Sequence, residues 1–359
     1  MVAENSTFIP IKQTKKARKG IPAEYIFRHT KKAIKGELKS RLSHIYVPPA
    51  YTNLQVAKSA KHKIQLIGED IAGRKQYVYH AKHIAGMEKR KYGKLEELGK
   101  NIVQIEKDNL SAIKAILRQK STGMLNKSDL IQFMIYMLRT YHFRIGCDKY
   151  AELYGSHGLS TLEPRHFKSE NGGIKISFIG KKGVKNNTHE SNGIGKKLIK
   201  RLLVHYHALG THKLAGKSYL YQYTVHTVSP DTTTTAAPVT TMIITSDDIQ
   251  DYFKATYSGI YVTPKMFRTW YANYHMLEYL RDLPSDKIPT PREAFSKMLK
   301  QDVGDYVSKH LNNTPSICRK NYINNKLLQN ILDRPQYYLE ECKKRKTPSS
   351  LHKYLATLI

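Results

Sequence analysis

The residues best suited to chemistry lie between Leu311 and Tyr322, in the run Leu-Asn-Asn-Thr-Pro-Ser-Ile-Cys-Arg-Lys-Asn-Tyr. A polar turn ends at Pro315, and a basic segment then carries Cys318, Arg319, Lys320 and Tyr322. Tyrosine is a poor nucleophile at neutral pH because its phenol has a pKa of about 10. Set among cations, its developing phenolate is stabilised and can attack a phosphorus centre. Other charges for such a reaction stand elsewhere in the chain. Arg144 lies between apolar Phe143 and Ile145 and before Gly146. An arginine in that setting needs an anionic partner, either a ligand or a structural ion pair, because an unpaired buried charge is costly. In Thr263-Pro264-Lys265-Met266-Phe267-Arg268, Pro264 suits the first position of a helix, which places Lys265 and Arg268 on one face. Ile174, Ile176 and Phe178 alternate into Gly180-Lys181-Lys182-Gly183, a strand entering a glycine-flanked hairpin turn. A lysine at such a tip can swing into a nucleic-acid groove; the plainer reading of Lys181 is a solvated turn residue.

Composition narrows the partner. The 359 residues carry 60 Lys and Arg against 29 Asp and Glu, a net charge of +31. That excess implies a polyanion, and nucleic acid is the default, with counterion release supplying much of the affinity. An anionic membrane is the weaker alternative, since no basic amphipathic helix stands beside an anchor and no apolar run nears the ~18 residues of a span. No signal-peptide core is present at the N-terminus. The 3 cysteines, Cys147, Cys318 and Cys342, are widely spaced and odd in number, which reads as reduced thiols in an intracellular compartment. The 16 histidines are scattered without a His-Glu-x-x-His pattern, so no metal is expected. No Gly-x-x-x-x-Gly-Lys-Ser/Thr loop occurs, so no ATP and no other cofactor is expected.

These groups need elements to hold them. Residues 1–43 are polar and basic and read as an N-terminal extension, either a solvated tail or a phosphate-binding arm or localisation signal. A β-rich block follows over 44–93. Ile45 to Thr52 reads as a strand broken by Pro48 and Pro49, and Lys63 to Gly68 as an alternating strand. Asp70 to Arg74 reads as a hairpin turn, and Lys75 to His80 as its second strand. A mostly helical region then runs over 94–359. Lys94 to Leu117 is an amphipathic linking helix, and Ser128 is a plausible cap for the next helix, which delivers Arg144 at its end. A basic helix spans Lys196 to His207, with His205 and His207 read as surface residues. Thr-rich residues about 228–241 read as a solvated insertion. Thr245 with Asp247 and Asp248 marks another helix start. Leu327, Leu328, Ile331 and Leu332 are expected to pack the helix that bears Tyr322.

Taken in order, the motifs resemble type IB DNA topoisomerases of the poxvirus, giant-virus and bacterial kind, over roughly residues 45–335. Arg144-Ile145-Gly146, Phe178-Ile179-Gly180-Lys181, Lys265-x-x-Arg268, Asn312-Asn313-Thr314-Pro315 and the Tyr322 segment carry the likeness. The resemblance implies an α+β fold: a small β-rich domain and a mostly helical catalytic domain, forming a clamp around double-stranded DNA. It implies Tyr322 as nucleophile, Arg144, Arg268 and Lys265 as phosphate ligands, and Lys181 as general acid. Asn313 stands where poxvirus-like members have histidine; His310 lies three residues earlier and leaves that role open between the two. Arg74, Lys75, Gln76, Tyr77 and Tyr79 in the first domain, with Lys182, Arg319 and Lys320 in the second, are implied DNA contacts. Relaxation of positive and negative supercoils through a 3′-phosphotyrosine, by a monomer, without metal or ATP, is the implied activity. The implied setting is intracellular DNA, in a virion or viral factory or else a nucleus or nucleoid. A tyrosine recombinase would share the chemistry but usually shows His-x-x-Arg in place of Lys265-x-x-Arg268. A non-catalytic DNA-packaging protein would explain the charge alone.

Overall fold

The computed structural model of the chain describes residues 7–15, 22–119, 123–226, 239–284, 287–289 and 292–359. They form two compact units that divide between Lys91 and Tyr92. The first unit contains β1 (Phe8–Lys15), β2 (Glu24–Phe27), α1 (Gly36–Ser43), β3 (Thr52–Ala57), β4 (Ile64–Glu69) and β5 (Lys75–Tyr79). Its strands make one sheet in the order β2-β1-β3-β4-β5, antiparallel throughout.

Two expectations fail in this unit. Residues 1–43 are not simply an extension, because β1 is an inner strand that pairs Ile9 with Val56 and Ile11 with Phe27. Ile11 joins Tyr25, Leu42, Leu54, Val56 and Leu66 in the small core. Lys12 and Lys15 make the segment read as a charge run, but they are exposed positions of a strand that buries Ile11 and half-buries Phe8, Ile9 and Pro10. The cations Lys16, Arg18 and Lys19 fall outside the described residues. Ile45 to Tyr51 is not a strand; Pro48 and Pro49 cannot donate to a ladder, and pairing starts only at Thr52. The β4–β5 hairpin forms as its sequence suggests. The Asp70 carboxylate accepts the backbone N–H groups of Ala72 and Arg74 at 3.0 and 3.1 Å, while Gly73 takes φ +70°.

The chain leaves this unit within α2 (Ala81–Arg118), whose Leu95, Leu98, Ile102, Ile105 and Ile113 enter the core of the second unit. There follow α3 (Lys127–Tyr141), α4 (Asp148–Tyr154), β6 (Phe167–Glu170), β7 (Gly173–Ile179) and β8 (Lys185–Glu190), the strands forming a meander. Next come α5 (Gly193–Ala208), the hairpin of β9 (Gln222–His226) and β10 (Val239–Ile243), and α6 (Ser246–Thr256). The remaining elements are α7 (Pro264–Asp282), α8 (Arg292–Leu311), α9 (Pro315–Asn321), α10 (Asn325–Asp333), α11 (Pro335–Lys343) and α12 (Pro348–Leu358).

The central element is α7. Every residue from Phe267 to Leu277 is buried, a helix wrapped on all sides, with α3, α8, α11 and α12 packed against it. Its approach to α2 is so close that a Cβ on Gly99 would fall 2.5 Å from the Trp270 ring. The cap of α3 is Asn126, not Ser128. The Asn126 side chain accepts the Asp129 N–H and the Asp129 carboxylate accepts the Asn126 N–H, so the box closes two residues earlier. His205 is not a surface residue. It is 0% exposed, with Nδ1 accepting the Leu125 N–H and Nε2 donating to the Gln222 carbonyl, both at 2.8 Å; His207 is exposed. Of the Thr-rich stretch 228–241, residues 239–241 belong to β10, and 228–238 lie outside the described residues.

Candidate active site

Arg268 sits at the fifth residue of α7, a helix that Pro264 starts at its first position. It is 2% exposed and fully engaged. Nη1 donates to the His142 carbonyl, Nη2 to the Leu311 carbonyl at 2.8 Å, and Nε to the Tyr322 hydroxyl at 3.3 Å. No carboxylate neutralises this cation in those contacts, so the charge is directed at the phenol. Two carbonyls and a phenol take one N–H from each nitrogen and position the guanidinium, leaving its field available for an anion.

Tyr322 follows α9, which Thr314 caps by accepting the Ile317 N–H. Its N–H returns to the Cys318 carbonyl, and its own carbonyl accepts the Asn273 side-chain N–H at 3.0 Å. Tyr322 joins Leu327, Leu328, Ile331 and Leu332 in the core. Burial alone would raise its phenol. The Arg268 charge and hydrogen bond, then Arg144 and Lys265, outweigh burial and hold the phenol below its ordinary value. The neighbouring thiol goes the other way: burial pushes Cys318 up to about 11, which leaves it a neutral packing group.

Arg144 stands in the loop after α3. The backbone N–H of Leu159 binds the Arg144 carbonyl at 2.8 Å, and Ser160 binds the Ile145 carbonyl through both its N–H and its hydroxyl. Gly146 has φ +91°, and a Cβ there would fall 2.9 Å from Gly158 Cα. The glycine is needed for that crossing, which aims Arg144 inward. Its Nη2 donates to Asn313 Oδ1 at 2.7 Å. This contact fixes the amide of Asn313, because only its oxygen can accept from a guanidinium. The Asn313 Nδ2 is then buried with no protein partner. A buried unpartnered donor on the side chain that holds Arg144, whose charge acts with that of Arg268 on Tyr322, is an arrangement that an anionic oxygen would complete.

The other sequence-predicted residues are not gathered here. Lys181 and Lys182 are exposed at the β7–β8 turn, with Lys182 at φ +62°, and no hydrogen bond or ion pair among the described residues holds either side chain. Lys265 is exposed one turn before Arg268 and acts on Tyr322 by charge. Arg319 turns away toward α8, donating to the Lys300 carbonyl at 3.2 Å, whereas Lys320 is exposed. In the first unit Arg74 pairs with Asp70 at 2.8 Å, and Gln76 donates to the same carboxylate at 3.0 Å. Lys75 and Tyr77 are exposed, and the Tyr79 ring lies tilted against those of Tyr77 and His83.

His310 does not meet the arginines. Its ring stacks on His275 at 3.9 Å, and with Glu278 it makes the one metal-ligand-like group among the described residues. The two rings lie within 13° of parallel, so their nitrogen lone pairs run side by side and do not converge on one ion. The sequence reading missed the His142 and Leu311 carbonyls and Asn273, which also accepts the Asn324 N–H at 2.7 Å. Backbone acceptors have no residue-type signature, and Asn273 reads as one more polar residue on a helix.

Comparison with known proteins places the chain among DNA topoisomerases. Residues 80–348 match the family described as eukaryotic DNA topoisomerase I, catalytic core. DNA topoisomerase 1B of Acanthamoeba polyphaga mimivirus is 30% identical over 300 residues, covering 84% of this chain and 82% of that protein. DNA topoisomerase 1 of rabbit fibroma virus is 25% identical over 300 residues, 80% of each chain. DNA topoisomerase 1B of vaccinia virus strain Copenhagen is 27% identical over 165 residues, 44% of this chain and 50% of that protein.

Proposed function

The chain belongs to the type IB DNA topoisomerase family, and from that premise we propose how its own residues divide the work. It is an isomerase that acts on DNA, relaxing supercoils by reversible breakage of one strand. Tyr322 attacks a backbone phosphate, joins the 3′ side through a phosphotyrosine and releases a 5′-hydroxyl. Arg268, already bonded to the phenol, stabilises the phenolate and then the non-bridging oxygens as the transition state gathers charge. Arg144 binds the same oxygens from the opposite side, with the free Nδ2 of Asn313 as a neutral donor. Asn313, and not His310, takes the fifth catalytic position, since His310 is stacked away on His275.

The leaving 5′-oxygen needs a proton, and Lys181 supplies it from the β7–β8 tip once DNA is bound, with Lys182 on the phosphates beside it. Lys265 and Lys320 add positive charge near the scissile phosphate, and Arg319 braces α9 through α8. In the first unit Lys75, Tyr77 and Tyr79 are outward on β5, and Asp70 sets Arg74 and Gln76 for contact with DNA. The covalent bond conserves the phosphodiester's free energy, so religation needs neither ATP nor metal. The chain acts as a monomer on intracellular DNA, in a viral factory or virion as its viral relatives suggest.

The observation that carries this reading is the Arg268–Tyr322 contact, with the Arg144 charge also acting on that phenol. The test is relaxation of supercoiled plasmid with EDTA present and ATP absent, wild type beside Tyr322→Phe. Wild type relaxes both signs of supercoil and the variant neither nicks nor relaxes. A wild type that binds plasmid without nicking it would overturn the reading.

A further inference from the structure

Behind Arg268 runs a chain of hydrogen bonds whose protons do not add up for neutral groups. His142 Nδ1 lies 3.3 Å from the Leu138 carbonyl, its Nε2 lies 2.9 Å from His275 Nε2, and His275 Nδ1 lies 2.7 Å from Glu278 Oε2. Both outer ends are acceptors, a carbonyl and a carboxylate. Filling all three gaps takes three N–H hydrogens, and two neutral imidazoles bring two. The third hydrogen must therefore come from an imidazolium or from a protonated Glu278, or one gap sets lone pair against lone pair.

The surroundings say which ring. Burial drives His142 well below the ordinary histidine value, and His275 beside it adds to the shift. Apart from His275, the Glu278 carboxyl has Arg281 Nη2 at 3.6 Å from Oε1 and accepts the Tyr306 hydroxyl on Oε2 at 3.2 Å, a cation and a donor that favour its ionised form. Desolvation, then His275, pushes His310 down to about 4, so the ring stacked on His275 is neutral. The remaining titratable neighbours are Tyr271 and Tyr274 on α7 and Tyr306 on α8, all phenols that burial raises. Glu278 is thus the negative charge next to His275, and the extra proton belongs between them.

This chain reaches the active site through backbone. His142 ends α3 in the left-handed region at φ +54°, an unfavourable conformation for a residue with a Cβ, and in it presents its carbonyl to Arg268 Nη1. We propose that His275, doubly protonated between His142 and Glu278, is a positioning residue that locks this carbonyl and through it Arg268. The proposal rests on the role given above to Arg268. When the proton leaves, the His142–His275 link loses its hydrogen, and the carbonyl is free to turn.

Two measurements test it. Nitrogen-15 NMR of histidine-labelled protein, with His275→Phe for assignment, should show both His275 nitrogens protonated at neutral pH and one of them bare in Glu278→Gln. Single-turnover cleavage of duplex DNA should be about tenfold slower in Glu278→Gln at neutral pH, with DNA affinity unchanged, as expected for a misplaced catalytic group. Glu278→Asp, which keeps the charge, should recover much of the lost rate. A merely structural role would leave Glu278→Asp, with its shortened side chain, no better than Glu278→Gln. If wild type cleaves but His275 carries a single N–H, or Glu278→Asp is as slow as Glu278→Gln, the proposal is wrong. If wild type does not cleave, the parent reading fails and this one falls with it.

Discussion

The Arg268 pocket and the β7–β8 tip, given one reaction to share in the proposed function, are built in opposite ways. In the pocket each nitrogen of Arg268 holds a partner before DNA arrives: Tyr322, the His142 carbonyl and the Leu311 carbonyl. At the tip Lys181 is exposed and unheld among the described residues. Groups that stabilise developing charge gain most from being fixed in advance, because reorganisation at the moment of reaction is then avoided. A proton donor for a leaving oxygen gains little from being fixed before that oxygen is present. It needs only to arrive, and an exposed lysine on a short turn can do so with the DNA.

The comparison predicts a ranked set of effects. Arg268→Lys removes the planar fork and should slow cleavage by about 10²- to 10³-fold even though the charge remains. A drop of only a few fold would mean that the pocket supplies charge alone. Lys181→Ala should slow cleavage by about 10²-fold. That loss should largely disappear on a substrate whose bridging 5′-oxygen is replaced by sulfur, which leaves without a proton. Arg268→Lys should show no such recovery, and if Lys182→Ala is the variant that recovers, the acid is the next residue along.

Smaller effects probe the pocket's edges. Asn313→Ala should cost about tenfold in single-turnover cleavage, the worth of one neutral hydrogen bond, and Asn313→His should retain more activity. The cleavage rate should rise with pH as Tyr322 ionises. Because the cations outweigh burial and lower this phenol, the inflection should lie below that of free tyrosine at about 10. In Arg268→Lys it should move upward, since the fixed Nε hydrogen bond to the phenol is lost.

Much of the pocket is legible in sequence because its residues answer local constraints. Pro264 starts the helix that pairs Lys265 with Arg268, and Gly146 marks a crossing that only glycine permits. What holds those side chains is far less legible. The carbonyls of His142 and Leu311 come from residues 126 and 43 positions away in the chain, and any residue type offers a carbonyl. His205 misleads for a related reason: a histidine on a basic helix reads as solvated, and only the distant Leu125 N–H and Gln222 carbonyl make its burial affordable. In the first unit the lysines of β1 hide a strand whose pairing partners lie on β2 and β3. Charge patterns report the solvent face, and the buried face of that strand is carried by few residues.

The measurement that tests the account most directly is capture of the covalent intermediate. A duplex whose cleavage releases a short 5′-hydroxyl fragment traps the enzyme on the longer strand, and peptide mapping then locates the linkage. A single tyrosine adduct is expected, at Tyr322, carrying the 3′-phosphate of the cleaved strand. An adduct on another residue, or one joined to the 5′ end, would contradict it.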